Sequence, residues 1–253
     1  MALDAAILES VEQGASKPTL RLYRWSPPCL SLGFSQPAAD VDLDRLKELQ
    51  WDLVRRPTGG RAILHADELT YSICGLSSDP RLAGGVLPSY KQLSQALALA
   101  LIILELPIQT QEKKHPDLNP NQPICFEFPS NFEITIHDKK IIGSAQARKG
   151  PGVLQHGSLP LKGDITRITR VLMYENEKER EKSAEDMIKR AATVKSASGH
   201  EISWDRAAEA FQEAFSRQLN LNLIPGELTD QEKHAGKKFL REQYNHPDWT
   251  FRK

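Results

Sequence analysis

Between residues 131 and 161 the chain reads NFEITIHDKKIIGSAQARKGPGVLQHGSLPL, and apolar and polar side chains alternate along almost all of it. A period of two sends successive side chains to opposite faces of an extended strand, so this stretch cannot be a helix with one buried stripe. HDKK and KGPG break the alternation with residues that favour tight turns. Three antiparallel strands in succession are therefore predicted, and the rest of the chain must supply what covers them.

More extended segments come earlier. TLRLYRW alternates, Pro27 and Pro28 interrupt it and CLSLGF resumes, which reads as a bent strand or a strand pair. WDLVRR runs through PTGG into RAILH as strand, tight loop, strand, and LTYSICGL continues the sheet. Helical periodicity appears in three kinds of place. Leu3, Ala6, Ile7, Leu8 and Val11 form a stripe that Gly14 ends, and Asp42 caps a short helix with Leu43, Leu46 and Leu49 on one face. LPSYKQLSQALALALIILEL, capped at Ser89, is apolar nearly all round and reads as the central helix. Beyond Asp164 four charged amphipathic segments, from DITRITRVLM to LTDQEKHAGKKFLREQYN, read as helices. Gln109 to Pro123, with three prolines and two asparagines, reads as a long loop. The fold class expected is α+β, a mixed, mostly antiparallel sheet flanked by helices, in one domain over residues 1–253 whose residues 164–253 are a helix-rich C-terminal portion.

Charge and cysteine usage narrow the function. Lys plus Arg and Asp plus Glu both total 33, so no global field draws the chain to nucleic acid or to an anionic membrane. Ala96 to Leu106 is too short for a bilayer crossing of about 20 residues. The opening MALDAAILES carries Asp4 and lacks a basic start, so a cytoplasmic protein is expected. Cys29, Cys74 and Cys125 are odd in number and far apart, which suggests neither a disulfide framework nor a metal site. Cys29 and Cys74 have apolar neighbours and read as small buried hydrophobes. Cys125, in NQPICFEFPSNFE, stands between the proline-rich loop and a strand with no second ligand beside it.

Two stretches concentrate chemistry. RRPTGGRAILH, residues 55–65, sets paired glycines among three arginines: either the backbone approaches an anion or acyl carrier there, or a hairpin turn carries solvent-facing arginines. It is not a P-loop, because no Gly-Lys-Ser/Thr follows. In KKIIGSAQARKGPGVLQHGSL, Lys140 stands where a strand begins, and small residues Gly143, Ser144 and Ala145 leave room beside it. A base, a carboxyl partner or an exposed turn lysine all fit. His65 and His156 lie on strand-like segments, where a hydrogen-bonded structural histidine is the commoner case.

Taken in order, RRPTGGRAILH, ELTYSI, KKIIGSAQAR and GVLQHGSLPL resemble the lipoate and octanoate attachment family, the transferases and ligases related to biotin protein ligase. MALDAAILE, LRLYRWSPPCLSLGFSQ and YNHPDWTFRK extend the likeness over nearly the whole chain. The resemblance implies a catalytic domain of the biotin and lipoyl ligase type. CFEFPSNFEI resembles the block that carries the acyl-enzyme cysteine in LipM-type octanoyltransferases, which implies Cys125 as nucleophile and Lys140 as its partner, with no ATP and no other cofactor. It implies that Gly59, Gly60 and the backbone from Ser144 to Gln146 line an acyl channel, with Arg56 and His65 at its mouth and Gly143, Ala145 and Gln146 against the substrate. Implied partners are octanoyl-acyl carrier protein and a lipoyl-domain protein such as glycine cleavage H protein. An ATP-dependent lipoate ligase, an octanoyl amidotransferase acting between lipoyl proteins and a non-catalytic carrier-binding protein stay open beside it. The family usually places a further strand before the first helix, so a chain opening at MALD implies either a late start or a sheet lacking an edge strand.

Overall fold

The computed structural model describes residues 1–111 and 133–252; Cys125 and most of its block lie outside them. Helix α1 (Ala2–Glu12) is followed by strands β1 (Thr19–Tyr23) and β2 (Cys29–Leu32), and helix α2 (Leu43–Glu48) leads to β3 (Asp52–Arg55). Then come β4 (Ile63–His65), β5 (Glu68–Leu76) and the long helix α3 (Val86–Ile103). Strands β6 (Gln109–Gln111), β7 (Glu133–Ile136), β8 (Lys139–Lys140), β9 (Gly143–Lys149) and β10 (Gly152–Pro160) complete the β-structure.

The large sheet has the order β1-β5-β10-β9, antiparallel throughout. Helices cover both of its faces, so β5 is buried nearly end to end. Tyr71 joins Leu97 of α3 in one hydrophobic cluster, whereas Cys74 joins Ile7, Val11 and Leu154 under α1. The alternation inside β5 is thus a division between two cores rather than between core and water.

Two smaller sheets correct the linear reading. The predicted middle strand of the 131–161 stretch is two strands: β8 pairs with β7, whereas β9 pairs with β10. Between them Ile141 and Ile142 are buried, and these two apolar residues in a row are where the alternation fails and the chain changes sheet. The turns fall where expected, with His137 and Asp138 at φ 50 and 61 and Gly150 at φ 55. Residues 109–111, read as the start of a loop, form β6 against β7. The second correction concerns the glycine stretch. β3 and β4 do not form a hairpin; both flank β2, one parallel and one antiparallel, so residues 56–62 cross over that strand.

The α3 start also differs from expectation. Gly85 at φ 91 is the turning residue, and Ser89 lies one turn inside, donating to the carbonyls of Gly85 and Val86 at 2.7 and 3.1 Å. At 18 residues α3 is long and apolar enough to match a membrane span, which residues 96–106 alone are not, yet here it packs against the sheet and a later helix. Leu43 of α2 is exposed, so Leu46 carries that helix's buried contact. After Asp164 the described elements are all helical. DITRITRVLM forms a 3-10 helix (Ile165–Val171), not an α-helix, and α4 (Glu177–Arg190), α5 (Val194–Ser198), α6 (Trp204–Gln218), α7 (Asp230–Phe239) and α8 (Pro247–Thr250) follow. Asn176, Thr193, Ser203 and Thr229 cap the first four of these with side-chain oxygens. Phe211 and Phe215 of α6 complete the cluster that holds Tyr71 and α3.

Candidate active site

Arg56, His65, Gly143, Ser144 and Ala145 line one cleft of about 300 Å³, part of it open to solvent. Ser31, Thr70, His156 and Ser158, which the sequence did not single out as ligand-facing, line it with them. Five of the expected site residues are thereby brought together, from two strands and one crossover.

The crossover is held from several sides. A Cβ on Gly33 would stand 1.8 Å from the carbonyl oxygen of Gly60, so β2 and the loop touch backbone to backbone. Gly60 adopts φ 91, which favours glycine. The Phe34 N–H donates to the Thr58 carbonyl at 2.9 Å. The Arg56 guanidinium is buried and donates to the carbonyls of Ser31, Gly59 and Arg61 at 3.0, 2.9 and 2.7 Å. Arg56 thus braces the loop from within while lining the cleft. Gly59 and Gly60 shape the loop but are not among the lining residues.

His156 reaches the same loop from β10, its Nε2 2.6 Å from the Thr58 hydroxyl. Burial pushes its pKa down to about 3, against the pull of Asp4 and with help from Arg56. Its Nδ1 and the Ser158 hydroxyl are buried with no partner among the described residues, which marks this wall as polar and available. Asp4 of α1 lies behind, taking hydrogen bonds from Arg21 and Ser72 at 2.7 Å each. Burial alone would raise its pKa, but these positive and hydrogen-bonding neighbours hold it well below the carboxylate range.

His65 is held by a buried polar group of its own. Nε2 lies 2.8 Å from the Ser31 hydroxyl, Nδ1 lies 3.0 Å from Glu68 Oε1, and the Trp25 ring stacks on the imidazole at 4.6 Å. Thr70 donates to the same Glu68 oxygen and accepts from Trp25 Nε1 at 3.0 Å.

The pleat of β9 separates the remaining expected residues. Gly143 and Ala145 pair with Ser158 and His156 on the side of the polar wall. The side chains of Ser144 and Gln146 belong to a row on the other side, against α3. Arg148 Nε donates to Gln146 Oε1 at 2.9 Å, Gln146 Nε2 to Gln155 Oε1 at 2.9 Å, and Gln155 Nε2 to the Tyr71 hydroxyl at 3.2 Å, which meets the Ser144 hydroxyl at 2.6 Å. Arg148 Nη2 also holds the carbonyls of Leu82 and Gly85 ahead of α3. Gln146 is not among the lining residues.

Lys140 is buried, 6% exposed, which removes the exposed-turn alternative. Its backbone pairs with Thr135, and its carbonyl accepts from Ala192 N at 3.1 Å. Cys29 and Cys74 are buried as expected, and burial pushes both thiols up, away from reactivity. Cys125 lies outside the described residues.

A glycine crossover braced by the buried Arg56 stands beside a polar cleft, and Lys140, not among the residues lining that cleft, is buried on β8 of another sheet. The lipoyl protein ligase A/B catalytic domain pattern matches residues 1–216. The octanoyltransferase LipM of Carboxydothermus hydrogenoformans is 41% identical over 254 residues, covering 100% of this chain and 93% of that one. The octanoyltransferase LipM of Staphylococcus aureus is 36% identical over 259 residues, with 100% and 94% covered. Among solved structures, the bipartite lipoate protein ligase of Thermoplasma acidophilum superposes with a TM-score of 0.80 at 25% identity, over 99% of this chain and 91% of that one. A lipoate-protein ligase A bound with ATP gives 0.80 at 26%, over 99% and 92%. The chain belongs to the lipoyl protein ligase A/B catalytic domain family. Within it the chain stands with the octanoyltransferases, which are acyltransferases.

Proposed function

We propose that the chain moves an octanoyl group from octanoyl-acyl carrier protein to a lysine of a lipoyl-domain protein, such as glycine cleavage H protein, through a thioester on Cys125. The observation that carries this reading is the end-to-end likeness to octanoyltransferases. Residues 1–253 act as one catalytic domain, in the cytoplasm. In the first step the Cys125 thiolate bonds to the acyl carbon, the carrier's C–S bond breaks, and the carrier thiolate leaves and takes up a proton. One thioester replaces another, so no nucleotide is needed. In the second the acceptor amine forms the C–N bond, the Cys125 C–S bond breaks, and the sulfur recovers a proton. Lys140, buried at the end of β8, carries that proton between thiol and amine. The β9 backbone at Ser144 and Ala145 offers an N–H to the developing oxyanion, the Gly59–Gly60 loop shapes the wall beside it, and the small residues Gly143 and Ala145 leave space for the chain.

Intact-protein mass spectrometry after mixing with octanoyl carrier protein tests this. One octanoyl group should appear on the wild type, be released by hydroxylamine, and be absent from Cys125→Ala, whose transfer should fall by roughly a thousandfold or more. The likeness to lipoate-protein ligases supports a second reading, lipoate activation with ATP. Turnover only with ATP and free lipoate, undisturbed by Cys125→Ala, would select it. An amidotransferase taking octanoyl from another lipoyl protein uses the same two steps and is separated by the donor alone.

A further inference from the structure

Forming the amide poses a proton problem that Lys140 and Cys125 solve only in part. A lysine acceptor arrives as an ammonium at neutral pH. Turning it into an amide nitrogen removes two protons; one returns to the departing sulfur, and the other needs a base. The cleft contains an imidazole placed for this, and with that ring neutral the hydrogen bonds around it run in one direction.

That direction is set by two groups that can only donate. Arg56 Nη1 donates to the Ser31 hydroxyl oxygen at 3.3 Å, so Ser31 directs its own hydrogen to His65 Nε2 at 2.8 Å, much closer than the Ile63 carbonyl at 3.5 Å. Trp25 Nε1 donates to the Thr70 hydroxyl, so Thr70 directs its hydrogen to Glu68 Oε1. Glu68 Oε1 therefore accepts, and His65 carries its hydrogen on Nδ1 toward it. Every link points away from the cleft, and one Ser31 lone pair is left to accept from a substrate N–H.

We propose that Ser31, His65 and Glu68 form a proton relay for the amide-forming step: Ser31 gives its hydroxyl proton to His65 Nε2 as its oxygen takes a proton from the attacking amine, and Glu68 holds the resulting imidazolium. No bond to carbon forms in the relay, and the proton leaves to solvent after the product. This rests on the reading that the chain acylates a lysine, but not on how the acyl group arrives, since an adenylate donor leaves the same proton to remove. The other titratable or charged groups around His65 are Glu68 on its own turn, Cys29 paired with it on β2, Arg56 and the Met1 amino group in the same cleft, the latter held by Asp4, and His156 from β10.

The test separates the two half-reactions by rapid quench, using octanoyl carrier protein as donor and a lipoyl domain as acceptor. His65→Gln should slow amide formation by roughly 100-fold and slow loading of the enzyme far less. The acid limb of its pH profile should vanish. Glu68→Gln should slow the same step and displace that limb, and Ser31→Thr should restore most of what Ser31→Ala loses. Equal slowing of both half-reactions with a lowered melting temperature would reduce the group to a brace for the crossover and overturn the relay. So would unchanged amide formation in His65→Gln. If the wild type never loads Cys125 but lipoylates with ATP, the Cys125 route fails alone, and the same variants judge the relay on the adenylate.

Discussion

Gly33 and Gly60 meet where two stretches of backbone have no room for a methyl group between them. Placing a Cβ on Gly33 would force the crossover away from β2, and the atom it meets is a carbonyl oxygen that no rotamer change can move. Gly33→Ala should destabilise the protein by roughly 3 kcal/mol, the upper range for overpacking, and displace the loop that Arg56 and His156 hold. Denaturant unfolding together with octanoyl loading would measure both effects. An alanine variant with wild-type stability would mean the loop is free to swing. His156 supplies a second expectation at this scale. In the unfolded chain a histidine takes up a proton below about pH 6.5, whereas the folded imidazole resists until about pH 3. The unfolded state therefore binds more protons in that window, and stability must fall as the pH drops. Between pH 7 and 5 this one group should cost about 2 kcal/mol. Urea unfolding at both pH values should show the loss, and His156→Gln should remove most of it; an equal loss in the variant would place the acid sensitivity elsewhere.

At the scale of elements, the helices and the antiparallel strands after residue 133 could be read from the sequence because their determinants are local. Caps at Asp42, Asn176, Ser203 and Thr229, turns at HDKK and KGPG, and the period-two alternation all act within a few residues. The failures of strand pairing share one cause. β3 and β4 pair with β2 rather than with each other, and β8 and β9 part company at Ile141 and Ile142, because partner choice is made by residues far apart in the chain. The candidate site divides in the same way. The residues Arg56, His65 and Gly143 to Ala145, which line the cleft, could be singled out from their motifs. The polar wall could not: Thr58 and His156 are 98 residues apart, and nothing in CLSL distinguishes Ser31 as the hydroxyl facing His65. A histidine and glutamate spaced as in HADE were the available signal, since that turn sets the ring against the carboxyl group.

Across the whole molecule, segments far apart in the chain meet at one buried arginine. Arg55 donates to the carbonyls of Gly33 and Gln36 at 2.8 and 2.6 Å and to that of Thr250 at 2.8 Å, and Trp249 Nε1 returns a hydrogen bond to the Arg55 carbonyl. The start of the glycine crossover is thereby fastened to α8, some 195 residues away. Arg55→Lys keeps the charge but cannot span this set of oxygens. It should cost roughly 3 kcal/mol, lowering the melting temperature by about 6–12 °C for a chain of this size. Calorimetry with and without residues 247–253 would show how much of the loss lies in the α8 contact: the lysine substitution should cost less once that segment is gone, the remainder being its bonds to Gly33 and Gln36. The row from Arg148 to Ser144 carries a different implication. Only its first member is unable to accept, and this asymmetry orders four side chains behind it. Substituting a glutamine there would give up the Arg148 bonds to Leu82 and Gly85 and also let the row run in either direction. The defect would then show up as a mixture of interconverting states along β9, a loss of uniqueness on top of the lost contacts.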